Sequence, residues 1–296
     1  MKGALIMAVL ATVLVLPAQG SAGIDGQQRR CPRGGDACLD RLIADMGRNL
    51  DRLGCSHNAA FALLYLRTTE SIRDAIRAGE FSDRRFWNRV TTAFGRDYLD
   101  PLRAWRRGHR RHVPEAWRVA FRAAERERVL TLGDVMLGIN AHVNHDLAFI
   151  YYRLGVDNHG DHLHVNDVLA RVQQTALPEI VARLDPTLGR QTPNDPELSL
   201  DIVAWRELAW ENAARLAAAR TRAARRRVRA RIDRHATTMA HQIRRAFPVT
   251  TQANRDRDAF CAAHHASSSR WRRVADGLAR GRGEVSYSSA ARARAA

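Results

Sequence analysis

The chain has 296 residues, a formal net charge of +17 and a pI near 11.2, with 45% hydrophobic and 27% charged residues. That length gives ample material for one large core or two small ones. The positive balance points towards polyanions such as acidic lipids, wall polymers or nucleic acid, without naming any of them as partner. After Lys2 every basic residue except histidine is arginine, a pattern that fits GC-rich coding as well as selection for guanidinium chemistry.

Residues 1–22 read as a secretory signal. Lys2 supplies the positive start, the run 4–16 is apolar, Pro17 breaks it, and small residues follow, so cleavage falls after Gly20 or Ala22. An uncleaved N-terminal anchor is the alternative. Nothing later is apolar enough for a transmembrane helix, so the mature chain is expected to be secreted or held in the cell envelope. Four cysteines, Cys31, Cys38, Cys55 and Cys261, suit disulfides in an exported chain and leave three pairings open. Cys261 can staple the C-terminal region back onto the first helices. The absence of a close CxxC pair argues against zinc on these thiols.

Residues 23–38 form a polar, Gly-containing arm. Leu39, Leu42, Ile43, Met46, Leu50 and Leu53 then recur at helical spacing up to Gly54. Ser56 can cap a second helix to about Ala78, with Gly79 as its stop. It is apolar nearly all round, hence central, and its Glu70 shares a face with Leu63 and Leu66. Ser82 can cap a third helix carrying Phe86, Val90 and Phe94, with a kink or a new start at Pro101. Pro114 opens a further helix through Trp117 and Phe121.

The stretch 133–155 is the centre of the chain. It is strongly apolar, yet it holds Asn140, His142, Asn144, His145 and Asp146. In a helix His142, His145 and Asp146 stand at i, i+3 and i+4, on the inward stripe with Val135, Ile139 and Phe149. Ionisable groups facing a core need partners. One solution is a metal site of zinc or iron held by His142, His145 and Asp146, with Glu70 opposite as a fourth ligand, activating water for hydrolysis. In it Asp146 serves as general base or orients a histidine. Other solutions are a metal-free His–Asp pair and a purely structural network, in which Asp146 accepts from a histidine or from Arg67 or Arg73.

Residues 156–165 read as a turn-forming loop with His159, His162 and His164, which can extend a metal site or simply be solvated. Asn166 or Asp167 then caps a helix to about Leu184. A proline-containing loop reaches Pro196, and one long helical stretch runs from Ser199 to about Phe247. Its arginines, Arg220 to Arg234, are the strongest feature for holding an anionic cell-envelope polymer or lipid surface. Export and the lack of interleaved aromatics disfavour nucleic acid. From Pro248 the tail is polar. No alternating β-branched run suggests a strand, so the expected fold is all-α: a multi-helix bundle around the helix bearing His142, His145 and Asp146. The expected organisation is 1–22 signal, 23–38 arm, 39–247 helical domain and 248–296 polar tail.

Two blocks carry a family resemblance. Residues 61–70, FALLYLRTTE, followed by residues 140–147, NAHVNHDL, resemble a bacterial family of unknown function that pairs a Y-x-R-T-T-like element with an N-A-H-[IV]-N-H-D-L helix. The resemblance covers roughly residues 40–245 and implies a helical domain, with no activity or cofactor to carry over. A fainter similarity is to helical zinc-dependent phospholipases and nucleases, whose larger histidine set and N-terminal ligand this chain does not reproduce.

Overall fold

A computed structural model describes residues 34–265. The expected signal segment, most of the arm and the distal tail lie outside these residues. Among them the fold is all-α, with a single isolated bridge between Val129 and Pro248 and no strand. No described helix is long and apolar enough to cross a membrane.

Helix α1 (Asp36–Leu53) buries Leu39, Leu42, Ile43, Met46 and Leu50, the stripe its spacing dictates. Gly54, at φ 54°, turns the chain out of it. Helix α2 (Asn58–Arg77) is buried along most of its circumference, through Phe61, Leu63, Tyr65, Leu66, Thr69 and Ile72. Helix α3 (Arg84–Arg106) is capped by Asp83, whose carboxylate accepts from Phe86 N–H at 2.9 Å. The expected cap, Ser82, donates instead to Asp161 at 2.5 Å. Pro101 lies inside α3 and does not end it. Tyr98, Leu99, Leu102 and Trp105 are buried on both sides of the proline, and their packing outweighs the lost hydrogen bond, a cost of about 3 kcal/mol. After a short 3₁₀ turn (Arg110–His112), α4 (Glu115–Glu125) starts behind Pro114 as expected.

The central rod follows: α5 (Thr131–Asn140), a π-helical segment (Ala141–Leu147) and α6 (Ala148–Leu154), closed by Gly155 in the left-handed region. Helix α7 (His159–Arg183) begins at the first residue of the histidine cluster. The expected loop 156–165 is therefore mostly helix. Asn158 is its cap, accepting from Asp161 N–H at 3.1 Å, and Asp161 in turn accepts from Trp87 Nε1–H at 2.6 Å. These bonds tie the helix start to α3 and override the turn signal of Gly160. The expected single stretch 199–247 is two helices, α8 (Ile202–Ala218) and α9 (Arg222–Ala246), capped by Asp201 and Thr221. Beyond it, α10 (Thr251–His264) is a polar helix held by a disulfide between Cys55 and Cys261.

The rod sits at the middle of the bundle. α2 and α4 pack on α5, α8 packs on α6, and the π segment touches α3, α4, α8 and α9. Close approach is needed where α2 crosses: a Cβ on Gly138 would stand 2.3 Å from the Phe61 ring. Glycine there lets the aromatic ring of α2 lie directly against the rod.

Candidate functional site

The π segment is the local event that shapes the site. Its residues are buried on nearly every side: Ala141, His142, Val143, Asn144, Asp146 and Leu147. A π turn inserts extra backbone into a helix and occurs often at functional sites. Asn140 anchors it, donating from Nδ2 to the Ala236 carbonyl on α9 at 2.9 Å, while Asn144 donates to Asn140 Oδ1 at 3.0 Å. His142 and Asp146 still meet across one turn. His145 swings partly outward, towards α9.

Asp146 is the hub. Its Oδ2 accepts from Trp117 Nε1–H at 2.8 Å and lies 3.1 Å from His142 Nδ1. Its Oδ1 lies 2.6 Å from His145 Nδ1, and His145 Nε2 reaches Asp233 Oδ1 on α9 at 3.0 Å. His142 and Asp146 are only 3% and 4% exposed. Burial alone would lower His145, but the carboxylates of Asp146 and Asp233 outweigh it and hold its pKa up at about 9. His145 is thus an imidazolium at neutral pH. Burial alone would raise Asp146, but hydrogen bonds from His142 and His145 and the His145 charge keep it below the usual carboxylate value. For His142 burial prevails, and its pKa is lowered despite Asp146. The charge of Asp146 is already balanced by His145, so His142 stays neutral.

A neutral imidazole that donates Nδ1–H to Asp146 carries its lone pair on Nε2. That nitrogen is buried and has no hydrogen-bond partner. The ring is caged by aromatics: Phe94 stacks on it at 3.5 Å and 4°, and Tyr65 stands edge-on at 4.4 Å. Burial, then the nearby Asp146 charge, push the Tyr65 hydroxyl well above its ordinary pKa, so it remains a proton donor.

His142 and Tyr65 belong to the wall of a cavity of about 410 Å³. Its lining comes from α2, α3, the rod, α7 and α8, and is overwhelmingly apolar: Phe61, Ile72, Phe94, Ile139, Leu147, Val165, Leu169 and Ile202 among others. Size and lining are those of a small-molecule site, which spans roughly 300–1,000 Å³. Tyr151 lines it as well.

Sequence reasoning placed His142, His145 and Asp146 in one cluster, and they are one. Glu70 belongs to a different network: it accepts from Arg67 Nη1 at 2.6 Å, and Arg67 also grips Glu179 through Nε at 2.6 Å and Nη2 at 2.8 Å. The alternative acceptance of Arg67 or Arg73 by Asp146 does not occur either: Arg67 serves these glutamates, and Arg73 pairs with Asp74 and Asp40. Trp117, Phe94 and Asp233 were not visible from sequence as site residues, because they reach the histidines from other helices. His159 and His162 both direct Nε2 at Glu207, each at 3.1 Å, and His164 pairs with Glu80 at 2.9 Å. These three ligand-type residues, His159, His162 and Glu207, sit close together, as do Cys55, Cys261 and His265. The two cysteines of the latter group are committed to their disulfide.

The model of one protein family matches residues 39–246, and its description is "Family of unknown function (DUF5995)". No curated protein and no solved structure matches the chain.

Proposed function

This chain belongs to the family of unknown function DUF5995, and we propose that its bundle core is a hydrolase-like proton-transfer site for a largely apolar ligand. The observation that carries this reading is the His142 Nε2 lone pair, buried without a partner, on a ring that lines an apolar cavity. Asp146 fixes the tautomer and His145 balances the Asp146 charge. Nε2 is then free to take a proton from water as its oxygen attacks an acyl carbon, and to return it to the leaving oxygen. Tyr65, kept protonated, is the donor available to the developing oxyanion. Asp146 acts here as a positioning residue and His142 as the base.

A zinc or iron ion on His142, His145, Asp146 and Glu70 is the competing form of the same site. The hydrogen bonds already made by Asp146, His145 and Glu70 favour the metal-free form, since a metal would have to displace them. The test is cleavage of p-nitrophenyl acyl esters of increasing chain length, with metal analysis of the same samples. Cleavage should favour long chains, survive a chelator, and fall about 10²–10⁴-fold in His142→Ala. Stoichiometric metal that disappears in His142→Ala/His145→Ala, or cleavage indifferent to His142, would overturn the metal-free reading.

A second reading rests on a separate observation. Arg222, Arg226, Arg227, Arg229, Arg231 and Arg234 on α9 are all exposed. Arg229 lies over the Phe149 ring at 5.3 Å. Such a face suits an anionic envelope polymer or lipid surface, and the Cys55–Cys261 disulfide supports an exported protein. Binding to phosphatidylglycerol vesicles should weaken steeply with salt and fall in Arg226→Ala/Arg227→Ala/Arg231→Ala, while His142→Ala leaves it unchanged. Vesicle binding that ignores both salt and these arginines would remove this reading.

A further inference from the structure

The cavity has a second polar feature, on α8. Arg206 lines it and is 3% exposed. A buried guanidinium is normally compensated by a carboxylate, because an unpaired buried charge is strongly destabilising. Arg206 has neutral neighbours instead. Its Nε donates to Asn166 Oδ1 at 2.7 Å, and its Nη2 donates to the His162 carbonyl at 2.7 Å and lies 3.3 Å from His162 Nδ1. The next residue, Glu207, is turned away and takes the Nε2 groups of His159 and His162. Burial and then the Arg206 charge lower His162 to about 4, so this imidazole is neutral too. Among the described residues no carboxylate pairs with Arg206, and its other polar neighbour is the neutral Tyr151 hydroxyl.

Asn166 adds to this pole. It also lines the cavity, and because its Oδ1 accepts from Arg206, its Nδ2–H groups remain available as donors. The rest of the wall is aliphatic or aromatic, apart from scattered threonines, Gln173 and His142. Tyr151, whose hydroxyl meets His162 Nδ1 at 2.9 Å, marks the Arg206 pole on the rod. It lies on the order of 12 Å further along the rod than His142, at about 1.5 Å rise per residue. The cavity therefore has a cationic pole, an apolar barrel, and the His142 nitrogen some way along it.

We propose that Arg206, with Asn166 beside it, binds the anionic head group of an amphiphile whose hydrocarbon chain fills the cavity towards His142. The inference names the ligand class of the proposed proton-transfer site and rests on that site's cavity. The planar guanidinium has five N–H donors, more than its neutral neighbours take up, to offer a carboxylate or a phosphate, and the anion supplies the charge that the protein itself leaves out. The volume suits a chain on the order of a dozen carbons, if each takes slightly less than the ~30 Å³ share of a water molecule.

The experiment is titration of the purified protein with dodecanoate, dodecyl phosphate and dodecanol, followed by heat of binding. At least one of the two anions should bind about tenfold or more tightly than the alcohol, a difference of about 1.4 kcal/mol. The tighter of them identifies the head group. Arg206→Met should lose that preference while still binding dodecanol, which also shows that the variant has folded. His142→Ala should keep the preference. Anions that bind no better than dodecanol to the unaltered protein overturn the inference, whatever the fate of Arg206→Met. A preference that persists in Arg206→Met overturns it as well. No ester cleavage by the unaltered protein, with the anion preference intact, removes the proton-transfer reading and leaves this one standing. Failure of all three amphiphiles to bind removes both.

Discussion

Replacing Asp146 with alanine is expected to lower folding stability by about 3–5 kcal/mol, the scale for removing one partner of a buried, hydrogen-bonded charge cluster. The loss has three parts. The His145 imidazolium keeps only Asp233, which is itself exposed. His142 Nδ1–H and Trp117 Nε1–H lose their acceptor inside the core. The side chain also leaves a void against the aromatic cage. Asp146→Asn separates charge from shape: it preserves volume and one carbonyl oxygen, and removes the anion. Urea unfolding of the two variants beside the parent measures both effects. A loss below about 1 kcal/mol for Asp146→Ala would mean that the three donors find water, and that the cluster is not the closed hub described.

The same cluster predicts a pH profile for stability with a maximum near the unfolded histidine value of about 6.5. His145 has a folded pKa of about 9, above its unfolded value. Its contribution is therefore complete below pH ~6.5 and is lost as the pH rises through 9, on the order of 3 kcal/mol in all. His142 has a lowered pKa. In the range below pH ~6.5 the unfolded chain takes up a proton that folded His142 refuses, so stability falls again on the acid side. In Asp146→Asn the main carboxylate holding His145 charged is gone, and the alkaline limb should flatten. An alkaline limb of unchanged depth in that variant would show that Asp233 alone holds the imidazolium.

How much of this was legible in the sequence follows from which contacts are local. The positions of His142 and Asp146 were legible, because i and i+4 meet in any helical turn and the surrounding residues are apolar. The fate of His145 was not, because a π turn leaves no periodic trace in a run that is apolar all round. Trp117 and Asp233 come to the cluster from 29 and 88 residues away along the chain, and no spacing rule links them. Arg206 was the least visible. In the sequence it reads as one more arginine of the arginine-rich stretch 199–247, and only the packing of α7 and the rod against α8 puts it inside. The boundary errors have the same origin. Gly160 and the histidines signal a turn, whereas Trp87 and Ser82 on another part of the chain hold Asp161 and so fix the start of α7.

Replacing both Cys55 and Cys261 with serine is expected to cost about 5 kcal/mol by the chain-entropy argument, in which a loop of 100 residues already contributes about 4.7 kcal/mol. This disulfide closes a separation of 206 residues, spanning almost the entire bundle. Serine variants are preferable to a reducing agent, because Cys38 is disulfide-bonded as well and reduction would sever both bridges. The loss should have a local face. α10 is largely polar and rests on α7. Its other polar links to the body are Arg257, which donates to the carbonyls of Cys55 and, at 3.3 Å, of Ser56, and Asn254, which donates to the Glu127 carbonyl at 2.9 Å. Without the bridge, amide exchange in α10 should accelerate well before the core of α2 and the rod loosens. If exchange instead rises evenly through α10, α2 and the rod, the disulfide would be stabilising the bundle as one cooperative unit. A stability loss near zero would mean that Arg257 and Asn254 hold α10 without the bridge, and that chain entropy contributes little here.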